Sequence, residues 1–122
     1  MALILIVDDS PTEVHVMQKA LERHGYRTAV AVDGAEGIRL ARQMHPDLIF
    51  MDIVMPGVNG YQATRALIKH NRVFKQIPVI MLSSKDGLFD RARGRIVGSE
   101  HYLTKPFTKD ELLGAIEAHV GK

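Results

Sequence analysis

The sequence predicts an α/β fold, a doubly wound five-stranded parallel sheet with strand order 2-1-3-4-5. Short apolar runs without polar alternation, such as Leu3-Ile4-Leu5-Ile6-Val7 and Leu48-Ile49-Phe50-Met51, suit strands covered on both faces. Helix-start signals alternate with these runs along the chain. Acids close the two runs, Asp8 and Asp9 after the first and Asp52 after the second, where ligands of such sheets bind beyond the strands' carboxyl ends.

The elements follow in order. Strands are expected at 3–7, 26–31, 48–52, 78–82 and 101–104. Four helix starts carry a capping-box pattern, in which a short polar side chain caps the first turn and an acid or amide three residues on reaches back: Ser10 to Glu13, Asp33 to Glu36, Asn59 to Gln62 and Thr108 to Glu111. Helical spacing then continues in Val14/Met17/Leu21, Gly37/Leu40/Ala41/Met44, Ala63/Leu67 and Leu112/Ala115/Ile116, stripes that would bury one face on a sheet. A fifth helix, over 87–97, keeps the spacing in Leu88, Ala92 and Ile96, but Gly87 and Gly94 weaken it by up to ~1 kcal/mol each. Right-handed crossovers in the order 2-1-3-4-5 place strands one and three side by side, so that Asp8, Asp9 and Asp52 meet.

Composition narrows the class. The 122 residues suit one domain, 1–122, with a single core. No apolar stretch approaches the ~20 residues of a membrane helix, and no secretory leader pattern opens the chain, so a cytoplasmic protein without membrane insertion is expected. Zero cysteines exclude disulfides, thiolate catalysis and cysteine metal sites. A net charge of +2, with dispersed basic residues and 6% aromatics, does not point to nucleic acid. The six histidines show no paired metal spacing and read as surface residues.

Three gathered carboxylates repel one another and persist with a cation, either a divalent metal or Lys105, which follows the run Tyr102-Leu103-Thr104. An ionised aspartate needs no general base to attack phosphorus; it needs charge neutralisation. Asp8 and Asp9 would supply Mg²⁺ with hard oxygens, and a backbone carbonyl beyond Asp52, that of Val54, could complete the protein's share. Lys105 and Ser83, at the end of Val79-Ile80-Met81-Leu82, would meet the remaining phosphoryl oxygens. Taken singly, each has a plainer reading. A strand-end aspartate is commonly a helix cap, Ser83 a turn residue, Tyr102 a packed ring and Lys105 a solvated lysine. The constellation is what points to phosphoryl chemistry.

With Val7-Asp8-Asp9-Ser10, the segment Asp52 to Gly60, Pro78 to Ser84 and Tyr102-Leu103-Thr104-Lys105-Pro106-Phe107, the chain resembles the receiver domains of two-component response regulators, the chemotaxis-type single-domain members most generally. The resemblance spans the whole chain. It implies a flavodoxin-like (βα)5 receiver fold, Asp52 as phosphoacceptor, Asp8, Asp9 and Asp52 as Mg²⁺ acids, Ser83 and Tyr102 as switch residues, Lys105 as the site lysine, and a cis peptide between Lys105 and Pro106. A sensor histidine kinase would donate the phosphoryl group, and output would pass through protein contacts rather than a fused domain. Ser84 to Asp90 with Gly94 to Ser99 look like one twitching-motility regulator of type IV pilus chemosensory systems. Ser10 to Glu13 and Gly60 to Arg65 look more like its companion. The implied downstream partner is a motility or signalling protein held by the fourth helix, fifth strand and fifth helix, where Arg91, Arg93, Arg95, Lys105 and Lys109 lie.

Two rival classes fit less well. An aspartyl-nucleophile phosphatase wants a second acid two residues after the nucleophile, where this chain has Val54. A flavodoxin-like flavin or nucleotide module wants a phosphate-binding loop after the first strand, where Asp8 and Asp9 repel phosphate.

Overall fold

The strands of the sheet are short, and its interior strands are more apolar than the two at its edges. In the computed structural model, which describes residues 2–52, 77–83, 101–104 and 107–120, β1 (Leu3–Val7), β2 (Arg27–Ala31), β3 (Leu48–Asp52), β4 (Val79–Ser83) and β5 (His101–Thr104) form one parallel sheet. The order is β2-β1-β3-β4-β5. Every residue of β1 and of β3 is buried, as their lack of polar alternation requires of strands covered on both sides. At the edge, β2 starts on the exposed Arg27 and is buried fully only at Ala31.

Side chains alternate across the sheet, and the helices sort accordingly. Ile4, Ile6, Leu48, Phe50, Ile80 and Leu82 meet α1 (Pro11–Arg23) through Val14, Met17 and Leu21, and α3 (Lys109–Val120) through Leu112 and Ile116. On the other face Leu5, Val7, Ile49, Met51 and Val79 pack with Ala41, and with the half-buried Ile38 and Leu40, of α2 (Gly34–Met44). This is the doubly wound arrangement. Burying an aliphatic side chain of this size stabilises by roughly 1.5–3 kcal/mol, so the two layers dominate the fold's stability.

The expected architecture is corrected in one respect. The described elements run β1-α1-β2-α2-β3-β4-β5-α3, with three helices, so five βα units are not what the described residues form. The helix candidates starting at Asn59 and over 87–97 lie outside the described residues. Two strands also differ at their ends, β2 beginning at Arg27 rather than 26 and β4 spanning Val79–Ser83 rather than 78–82. In α2 the stripe of buried residues stops at Ala41, and Met44 is 42% exposed in the last turn.

Local chemistry explains the helix starts. The Thr108 hydroxyl accepts from the Glu111 N–H at 3.1 Å while a Glu111 carboxylate oxygen accepts from the Thr108 N–H at 3.0 Å, a complete reciprocal box. Asp33 accepts from the Glu36 N–H at 2.8 Å, and Glu36 reaches one residue further back than expected, to the Val32 N–H at 3.1 Å. Ser10 caps α1 with Pro11 in the first turn, where the missing N–H costs nothing. At its other end α1 stops on Gly25 at φ 86°, a left-handed turn that a side chain would strain. The close seating of α2 on β1 depends on Gly37, where a Cβ would stand 2.9 Å from Val7 Cγ2.

A long-range pair closes the opposite edge of the sheet. Asp47, just before β3, accepts the Leu3 N–H on Oδ2 at 2.8 Å and donates its own N–H to the Leu3 carbonyl at 2.8 Å. Gln18 and Glu22 of α1 meet on the Thr28 hydroxyl of β2, which accepts from Gln18 at 3.0 Å and donates to Glu22 at 3.1 Å. Spacing along the chain carries no trace of either contact.

Candidate functional site

The register of the two central strands creates the site. Val7 of β1 pairs with Met51 of β3, so the next residues, Asp8 and Asp52, fall side by side at the strands' carboxyl ends. Asp52 continues the face of Leu48 and Phe50, the face that α1 and α3 cover. Both acids are buried, Asp8 at 1% exposure and Asp52 at 8%, while Asp9 is exposed. One carboxylate oxygen from each of the three can be chosen so that all lie within 4.8 Å of one another.

Asp8 is tied down on two sides of its backbone and side chain. Its N–H donates to the Ala31 carbonyl of β2 at 3.0 Å, and its Oδ1 accepts the Ser10 N–H at 2.9 Å. The second bond is an Asx turn, in which an aspartate side chain takes the place of a backbone carbonyl. Ser10 also caps α1, with its Oγ 3.5 Å from the Glu13 N–H, so the turn that fixes Asp8 is the turn that starts the helix. The partial positive charge of that helix start favours acids beside it.

The chemistry of the donor set suits a hard divalent cation. Three carboxylate oxygens, two of them largely withdrawn from water, carry a charge that low-dielectric surroundings do not screen. At the ~2.1 Å bond lengths of Mg²⁺, octahedral ligands stand roughly 3–4.2 Å apart, so oxygens that all lie within 4.8 Å of one another need only small side-chain rotations to share one ion. The residues therefore fit the metal implied by their type.

Other expected site residues are placed in part. Ser83 ends β4 and pairs with Thr104 of β5, one step beyond the level at which Asp52 pairs with Leu82. Tyr102 pairs with Met81 inside β5. For these two the backbone alone is described. Lys105 and Val54, like the Lys105–Pro106 peptide and the basic residues Arg91, Arg93 and Arg95, lie outside the described residues. Sequence reasoning anticipated Ser10 as a helix cap and not as a partner of Asp8, because that main-chain bond leaves no signal in residue type.

An acidic triad at the carboxyl ends of two central parallel strands is the form in which one family of signalling domains presents a phosphoacceptor, and the response regulator receiver domain model matches residues 4–117; the chain belongs to that family. Among curated relatives it is 55% identical to protein PilG of Pseudomonas aeruginosa over 117 residues, covering 96% of this chain and 86% of PilG. It is 49% identical to protein PilH of the same organism over 118 residues, covering 97% of each chain. Among solved structures, the receiver domain of a sensor histidine kinase from Pseudomonas aeruginosa, with a magnesium ion coordinated in its active site cleft, superposes with a TM-score of 0.90 at 32% identity, covering 99% of this chain and 98% of that one. The chemotaxis protein CheY4 of Vibrio cholerae superposes with a TM-score of 0.90 at 29% identity, covering 98% of both.

The protein is thus a receiver-domain response regulator related to PilG and PilH, with a three-aspartate cluster suited to Mg²⁺-dependent phosphoacceptance and downstream signalling. Among the described residues no helix is long and apolar enough to cross a membrane.

Proposed function

We propose that Asp52 is the phosphoacceptor of a response regulator, receiving its phosphoryl group from a sensor histidine kinase. The observation that carries this reading is the meeting of buried Asp52 with Asp8 and Asp9 within 4.8 Å. An Asp52 carboxylate oxygen attacks the phosphorus of a phosphohistidine; the P–N bond breaks, its electron pair returns to the imidazole, which takes up a proton, and an acyl phosphate remains on Asp52. Asp8, Asp9 and Asp52, with the Val54 carbonyl, would hold Mg²⁺, which would supply neutralisation of the acids and of the incoming phosphoryl oxygens. Lys105 and Ser83 meet the other oxygens, by charge and by hydroxyl donation.

Output runs from Ser83 to Tyr102. The new acceptor oxygens on Asp52 draw in the Ser83 hydroxyl, and the Tyr102 ring turns into the space vacated. A downstream motility or signalling protein, held through residues 87–97, β5 and α3 with Arg91, Arg93, Arg95, Lys105 and Lys109, is then bound with changed affinity. Identity to PilG and PilH, together with the resemblance of residues 84–90, 94–99, 10–13 and 60–65 to twitching-motility regulators, supports a place in a cytoplasmic type IV pilus chemosensory pathway.

Intact-mass spectrometry after acetyl phosphate tests the acceptor. One phosphoryl group is expected on the wild type with Mg²⁺, and none in EDTA or on Asp52→Asn. Full labelling of Asp52→Asn would move the acceptor elsewhere.

A further inference from the structure

We infer that the main-chain N–H of Ser10 is a positioning group for metal binding, holding the Asp8 carboxylate in its metal-binding orientation before the cation arrives. The inference deepens the proposed function and rests on its assignment of Asp8 to Mg²⁺. The Ser10 N–H stands 2.9 Å from Asp8 Oδ1, a charge-assisted bond to a carboxylate that is 1% exposed. Within the cluster that carboxylate faces two others, with oxygens inside 4.8 Å. Repulsion at that distance favours any rotation about the Cβ–Cγ bond that carries an oxygen away. The Ser10 bond opposes such rotation, because one oxygen is pinned to an amide that is itself fixed by the start of α1. The cation then finds Asp8 oriented and need not restore it.

Two features make Ser10 suited to this task. Its backbone, at φ −94° and ψ 106°, is the extended conformation of an N-cap, and Pro11 beside it restricts it to that region. Its side chain is engaged in the opposite direction, toward the Glu13 N–H at 3.5 Å. The amide serves Asp8 and the hydroxyl serves the helix, so the two roles separate by experiment.

The test compares Ser10→Ala, which removes the hydroxyl and keeps the N–H, with that variant carrying L-lactic acid at position 10, which exchanges the N–H for an ester oxygen, keeps the methyl side chain and otherwise only weakens the Asp9 carbonyl as an acceptor. Mg²⁺ affinity is read from amide chemical shifts in a titration without any phosphodonor, and stability from urea unfolding in EDTA. Ser10→Ala is expected to keep a wild-type Kd to within about twofold, while the ester binds Mg²⁺ about tenfold more weakly, the lower end of what outer partners of metal ligands contribute. Equal or tighter binding by the ester would overturn the inference, whatever its stability. Should the ester protein fail to fold, Ser10→Pro removes the same N–H at a φ within about 30° of proline's own value, and its Kd is read by the same rule. Failure of wild-type Asp52 to accept a phosphoryl group would count against the proposed function instead, a result this titration leaves separate.

Discussion

Removing one charge from the acidic cluster should make the metal-free protein more stable. Asp8→Asn is the informative change, because asparagine has the same shape and retains an Oδ1 to accept the Ser10 N–H. Two unit charges 4.8 Å apart repel by roughly 0.9 kcal/mol at the dielectric of water and roughly 3.5 kcal/mol at an effective value of 20. Neutralising Asp8 abolishes its repulsion with both Asp9 and Asp52 and lifts the cost of burying its charge at 1% exposure. Against this stands the weakening of the favourable interactions of the Asp8 carboxylate, among them the Ser10 bond, which falls from charge-assisted to neutral at a cost of about 1 kcal/mol. The net expectation in EDTA is a gain of about 1–3 kcal/mol, or about 4 °C per kcal/mol for a chain of this length. With Mg²⁺ at a hundred times its Kd, the wild type gains about 2.7 kcal/mol by mass action, and the advantage of the variant should vanish or reverse. Urea unfolding of both proteins, in EDTA and in saturating Mg²⁺, supplies the four numbers. An Asp8→Asn protein equal to or below the wild type in EDTA would refute the electrostatic account of the site.

Three further outcomes are expected. Leu21→Ala empties a fully buried position between α1 and the sheet, and should lower the unfolding free energy by about 2–5 kcal/mol in a urea titration without altering the Mg²⁺ Kd. Thr108→Ala removes the capping hydroxyl of α3 and should cost about 1 kcal/mol by the same measurement, whereas Thr108→Ser should be close to neutral. Ser83→Ala, brought to the wild-type phosphorylated fraction, should lose most of the difference in partner affinity between the two states, a coupling of about 1–3 kcal/mol in proteins that switch; a full wild-type response would remove Ser83 from the output path.

The parts of this molecule legible in its sequence are those set by periodicity and by short-range hydrogen bonding. The limits of β1 and β3 follow from apolar runs, and the starts of α1, α2 and α3 from Ser10, Asp33 and Thr108, because a cap bonds to a group three residues away. The gathering of Asp8, Asp9 and Asp52 was legible for a related reason, since strand ends in a parallel sheet share one edge. Met44 misled because helical spacing continues past the point where α2 leaves the sheet. The Asp47–Leu3 pair spans 44 positions and the Ser10 amide has no residue type, so neither leaves a pattern to read. Glu36 reached Val32 rather than Asp33, a shift decided by side-chain geometry.

The first strand of the chain is a middle strand of the sheet. Leu3 to Val7 hydrogen-bond to β2 on one side and to β3 on the other, and the Asp47 bonds to Leu3 form only after some forty further residues have been made. A ribosome therefore delivers the most apolar segment of the protein well before its second neighbour exists, at ~5–20 residues per second. For the seconds in between, Leu3-Ile4-Leu5-Ile6-Val7 can be shielded only by α1 and β2, leaving the edge destined for β3 open to any passing strand.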